Sequence, residues 1–260
     1  MIASLRYEFA MQVRRPSLWI VYGLVLAVMV AVLDYWSLDL DVYEVSVPKE
    51  AMGVAAQIIV TLLPIVYGCM LADRPSRDRV LRVDGILDTT PSGRTARLIG
   101  KYAGVCAATA VPLAITYFGR ALLYVLVEGQ PSALGWAAVT FLASILPGLV
   151  FVGALAFAGP LLLPPMVFRV LFVAYWFWGN LIPANLMPTL SHTVFSATGE
   201  YVRYGLLTPI SPEYGRDSAV LDFLRPDHTP ATAWLWIGVM IALAVVVLSL
   251  VRLHASRSES

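Results

Sequence analysis

Two dipeptides in the 260-residue chain, Ser191-His192 and Asp227-His228, carry the residue types from which a hydrolase builds a nucleophile and its base. Chain neighbours seldom face one another, so neither pair predicts a catalytic dyad. His192, His228 and His254 could ligate a metal, but the span count below puts His254 on the opposite side of a membrane from the other two. The only cysteines, Cys69 and Cys106, sit inside apolar stretches and indicate neither a disulfide framework nor a thiolate metal site. The stretch running from Gly93 to Gly100-Lys101-Tyr102 has the outline of a phosphate-cradling loop. Six residues rather than four separate its glycines, however, and Tyr102 stands where Ser or Thr would hold magnesium. Any ATP involved must therefore be bound by another polypeptide, and no catalytic, cofactor or metal residue is expected in this chain. The one buried-looking charge is Arg120, about 18 residues along the third span and placed to snorkel toward the outer interface near Glu128.

What must position these groups is set by composition. The chain is 59% hydrophobic and 13% charged, with a mean hydropathy of +0.76, against roughly 25% charged in soluble domains. That is more apolar surface than a globule of this size can hide, so the excess must face lipid. A net charge of +1 gives no sign of a nucleic-acid partner. Apolar runs long enough for a bilayer predict a single all-α transmembrane domain over 1–260, with six spans near 18–33, 51–71, 102–127, 134–158, 166–182 and 231–251. The fourth and fifth are separated at Pro160, Pro164 and Pro165, where missing amide donors favour a break. With both termini in the cytoplasm, thirteen of the 18 Lys and Arg residues fall inside, four outside, and Arg120 within a span. That bias favours six spans and a multi-pass protein of the cell membrane.

Two cytoplasmic pieces carry further information. Before the first span, Leu5, Phe9 and Val13 recur at i, i+4 and i+8, which predicts a short amphipathic helix with that stripe in the headgroup layer and Pro16 turning the chain into the bilayer. Between the second and third spans, Asp73 suits a cap and Pro75 a first helical turn. Val80, Leu81, Val83 and Leu87 alternate with Arg77, Arg79, Arg82 and Asp84 to predict a second amphipathic helix, broken after Leu87 by Asp88-Thr89-Thr90-Pro91-Ser92-Gly93.

This order of elements, together with Leu87-Asp88-Thr89-Thr90-Pro91-Ser92-Gly93-Arg94 and Leu98-Ile99-Gly100-Lys101-Tyr102, resembles the membrane subunit of type-2 ABC transporters. The likeness covers the whole chain in layout and about 30 residues in motif, with Asp73 where Glu is common and Gly93 as an extra residue. It implies that the N-terminal helix acts as an elbow and that Arg77, Arg79, Arg82 and Asp84 belong to a coupling helix docking on a separate ATPase, which would hold ATP and Mg. It also implies a second permease subunit, identical or related, with the second and fifth spans lining the path between the two.

Those spans carry Gln57 and Thr61 in one and Phe172, Tyr175, Trp176 and Asn180 in the other. Phe168, Phe172, Tyr175 and Gly179 fall on one helical face, with Trp176 beside them. A carboxylate-free aromatic face suits an apolar or amphipathic substrate in a lipid surround more than an inorganic ion. The same aromatics would also serve as packing. The expected function is thus an ATP-driven exporter's permease, with a secondary transporter and a non-transporting membrane scaffold as the alternatives. Ala184 to Pro230 is long for a simple connection, and Phe195, Tyr201, Tyr204, Leu206 and Leu207 are expected to form short helices there.

Overall fold

The computed structural model describes residues 2–32, 47–74, 93–208 and 221–257, and among them every regular element is helical. Helix α1 spans Ile2–Val13 and α2 Pro16–Val32, the second opening on a proline whose fixed φ and missing amide suit a first turn. Helix α3 covers Pro48–Leu71 and α4 Arg94–Glu128. The latter stops at Gly129, whose left-handed φ of 68° lets its amide cap the Val125 carbonyl at 2.9 Å. Helix α5 runs over Ser132–Leu162. Helix α6 joins Pro165–Trp176 to a π turn at Phe177–Leu181, and α7 joins Glu200–Val202 to another at Arg203–Leu207. Helix α8 is Pro230–Arg257.

Four of these, α3, α4, α5 and α8, are long and apolar enough to cross a membrane, which fits a membrane protein. The other two expected spans are helical as well: α2 over the 17 residues up to Val32, the last described position there, and α6 over 12 followed by five in its π turn. Helix α4 starts eight residues earlier than the apolar run alone predicts, because Arg94 to Lys101 continue the same helix. Pro160 does not break the chain. It sits in the last turn of α5, and the break falls at Leu163, whose φ of −127° and ψ of 153° are the extended values that a following proline favours. Pro165 then opens α6.

A third π turn, Phe141–Ile145, widens α5 just before Pro147. A proline removes one helical amide and crowds the carbonyl four residues back, and the i to i−5 spacing relieves that crowding. The Leu146 amide accordingly reaches back five residues to Phe141.

Helices approach closely where side chains are small, the usual device when lipid supplies no hydrophobic drive. A methyl at Gly68 of α3 would overlap the Phe172 ring of α6, and one at Gly159 of α5 would overlap Phe168. At Gly153, a β-carbon would stand 2.7 Å from the Cys106 sulfur of α4. Outward faces stay apolar, with Ile115, Leu122 and Leu126 of α4 and Trp234, Val245 and Leu250 of α8 exposed. That pattern is costly in water and ordinary in hydrocarbon.

Helix α1 packs differently from its sequence expectation. It runs along the early part of α4 in the same sense, with the Leu5 carbonyl and the Glu8 side chain against Gly104, and Gln12 donating to the Thr109 hydroxyl at 3.1 Å. The buried stripe is Glu8 and Gln12, while Leu5, Phe9 and Val13 are half-buried. The polar stripe turns inward because the facing stretch of α4 carries Thr109 and Lys101, the latter close enough to Glu8 to attract it.

Candidate functional site: an aromatic column and an inserted segment

The i, i+4, i+8 face that α6 turns toward α3 consists of Phe168, Phe172 and Trp176. Their rings follow one another at 5.6 Å and 5.9 Å between centroids, the first pair stacked at 24° and the second tilted at 34°. The column lies over Gly68 and ends where the Trp176 indole donates to the Thr61 carbonyl at 2.8 Å. Trp176 is wholly buried and Phe172 nearly so. Tyr175 and Gly179 stand beside this column, with Tyr175 half-buried at its edge. Of the six residues expected to face a substrate, Thr61, Phe172 and Trp176 meet in the α3–α6 seam, which the two aromatics fill, and Tyr175 stands beside it.

Gln57 and Asn180 serve a feature that hydropathy cannot show. After α6 the chain runs as a string of turns over residues 182–199, mostly exposed up to Pro188 and then largely buried from Thr189 onward against α5, α6 and α8, and continues into α7. Irregular backbone buried at such a place needs every amide and carbonyl matched by protein. Asn180 Oδ1 accepts the Ala197 amide at 2.8 Å and the Ser196 hydroxyl at 3.2 Å, while its Nδ2 donates to the Trp176 carbonyl at 3.3 Å. The Trp236 indole of α8 donates to the Ser196 carbonyl at 2.7 Å. Arg225 donates to the Ser191 and Thr189 carbonyls at 3.2 and 3.0 Å, so a charged side chain closes the segment's far end. Gln57 receives Arg203, which ties α7 to α3. Of the aromatics expected to form short helices, Tyr201 and Tyr204 do so with Leu206 and Leu207 in α7, whereas Phe195 lies in the turns.

Within this segment His192 takes a left-handed φ of 62° and faces Glu200, with Nδ1 2.8 Å and 3.1 Å from the two carboxylate oxygens. Glu200 is 3% exposed. The Tyr201 hydroxyl donates to the His192 carbonyl at 3.0 Å; burial, then the Glu200 charge, raises its pKa against a smaller opposing pull from Arg225, so it stays a neutral donor. His228 sits between the rings of Tyr201 and Tyr204. Ser191 does not meet His192; its hydroxyl donates to the Ile182 carbonyl at 2.7 Å.

Arg77, Arg79, Arg82 and Asp84 lie outside the described residues. The ends of their loop are described. At its start Asp73 forms an ion pair with Arg169 of α6, whose Nε also donates to the Cys69 carbonyl at 3.1 Å. At its end Lys101 lies near Glu8 of α1. The chain matches no family model, no curated protein and no solved structure.

Proposed function

We propose that the chain is the six-span permease subunit of an ATP-driven exporter of the cell membrane, moving an apolar or amphipathic substrate and powered by a separate ATPase that binds Mg and ATP. The observation that carries this reading is the anchoring of the arginine-rich loop. One end continues α3 and is paired to α6 through Asp73 and Arg169; the other is the start of α4 and lies against α1 near Glu8. Helices α3 and α4 are themselves joined where the Tyr117 hydroxyl donates to the Met52 carbonyl at 3.1 Å. A push on the loop would thus reach four helices at once, which is what a coupling helix must do, with α1 as the elbow. Helix α6 with its π turn, at about 1.5 Å per residue, reaches about 26 Å and falls at the short end of the spanning range.

If Arg79 and Arg82 belong to the docking surface, their joint replacement by Glu is expected to lower co-purification of the ATPase subunit about tenfold, as opposed charges become like charges, with membrane insertion unchanged. Equal recovery of the ATPase with wild type and variant would remove the coupling role.

Orientation is tested separately. In a background lacking Cys69 and Cys106, a cysteine at Ser218 is expected to react with an impermeant reagent on intact cells, and one at Ser258 only after permeabilisation. Reaction of both from the same side would refute six spans with cytoplasmic termini.

A second reading, a carrier coupled to protons, is favoured by the pair of half-buried His192 and buried Glu200, since titratable groups within a membrane protein commonly mark proton paths. Co-purification of a soluble Walker-type ATPase separates the two readings, because a secondary carrier has no use for one.

A further inference from the structure

At the end of the bundle that bears the arginine-rich loop, a cavity of about 420 Å³ opens between the α1–α2 junction, the end of α3 and the start of α6. Its size falls within the usual range for small-ligand sites. Three guanidinium groups, from Arg15, Arg74 and Arg169, border it against one carboxylate, Asp73. Two of its lining residues, Tyr22 and Gln12, each have a polar atom, the Tyr22 hydroxyl and Gln12 Oε1, that is buried without a hydrogen-bond partner. These residues are 5% and 1% exposed, so water does not freely solvate them. An unmet buried polar group costs about 1–3 kcal/mol, which makes two at one cavity a sign that something else supplies the partners.

The chemistry of that partner can be read from the donors. The Thr109 hydroxyl spends its proton on the Val105 carbonyl at 2.9 Å, so toward Gln12 it can only accept. Gln12 must therefore present its amide nitrogen to Thr109, which leaves its oxygen in need of a donor. Tyr22 can donate, and arginines match the geometry of phosphate oxygens. Leu18, Val21 and Leu71 add an apolar wall.

We propose that this cavity binds the headgroup of a hydroxyl-bearing phosphodiester, with the phosphate among the arginines and Tyr22 and a headgroup hydroxyl on Gln12 Oε1. The apolar wall favours a lipid as its source over a soluble phosphate ester. This assignment needs only that this end of the bundle meets a membrane surface, and it stands or falls independently of ATP-driven transport.

The test is native mass spectrometry of the purified full chain with dioleoyl phosphatidylglycerol, dioleoyl phosphatidylcholine and glycerol 3-phosphate. Phosphatidylglycerol is expected to be retained over phosphatidylcholine, and the Arg15→Gln/Arg74→Gln variant to lower that retention about tenfold, whereas Arg252→Gln at the far end of α8 leaves it unchanged. Tyr22→Phe gives an independent reading, because removing an unmet hydroxyl should raise the melting temperature of the lipid-free protein and shrink the rise that phosphatidylglycerol produces. Retention of glycerol 3-phosphate alone, lost in the arginine variant, would keep the headgroup chemistry and assign a soluble source. Equal retention of both lipids, undiminished phosphatidylglycerol retention in the arginine variant, or an unchanged lipid-induced shift in Tyr22→Phe would overturn the proposal.

Discussion

Phe172→Ala is expected to destabilise the protein by about 3–5 kcal/mol, enough to deplete folded material in detergent, because it empties the middle of a stacked column. Phe172 is held between Phe168 and Trp176 and over Gly68, so neither helix can settle into the space without losing its other contacts. Gly68→Ala should fail for the opposite reason, as its methyl would meet the ring it now accommodates. Combining Gly68→Ala with Phe172→Leu should then cost less than the two changes added together, since the shorter side chain frees the space that the methyl needs. Thermal unfolding of the four proteins checks this. Wild-type stability in Phe172→Ala, with selective loss of substrate-stimulated ATPase activity, would instead place the ring on a transport path. Tyr175, half-buried at the edge of the column, is the aromatic better placed to meet a substrate without first unpacking the seam.

Asn180→Ala should lower stability by about 2 kcal/mol and loosen residues 189–202 in particular, because the Ala197 amide would lose its partner in a place where no water replaces it. The Ser196 hydroxyl and the Trp176 carbonyl lose theirs in the same change. Hydrogen exchange followed by mass spectrometry is expected to show faster exchange across 189–202, with α4 and α5 unaffected. Uniform protection equal to wild type would mean that the segment is held by its other anchors, Arg225 and Trp236, alone.

The apolar runs were legible as helices because a bilayer imposes one length and one chemistry on whatever crosses it, and all six expected spans appear as helices near their expected bounds. What hydropathy misplaces is the effect of each proline. Pro160 forgoes the bond its amide would have made to the Ala156 carbonyl without ending α5, whereas Pro164 disfavours the helical conformation at Leu163 and Pro165 does the same at Pro164, so the break falls there. The inserted segment was illegible for another reason. Thr189, Ser191, Thr193, Ser196 and Thr198 are polar, yet each is buried, since the first three hydroxyls answer backbone carbonyls and the last two answer Asn180 and each other rather than water. The sequence signals for it were the length of Ala184 to Pro230 and the surplus of Ser and Thr after Asn180 in an otherwise apolar helix. Helix α1 shows the same limit, since a stripe of Leu5, Phe9 and Val13 says nothing of a partner that offers Lys101 and Thr109 to Glu8 and Gln12.

The three π turns adjoin the inserted segment: Ser144 of the first lies against Gly199, the second ends where the segment begins, and the third completes α7. A π turn holds one residue more than an α-helical turn needs. Were the turn at Phe177–Leu181 to tighten by passing that residue onward, everything beyond it would swing by about 100° about the helix axis. Asn180 would then point away from the Ala197 amide that it now receives. The widened turn and the segment thus act as tumbler and key: neither can change register while the other keeps its hydrogen bonds, and a single-residue deletion within 177–181 should unlock both.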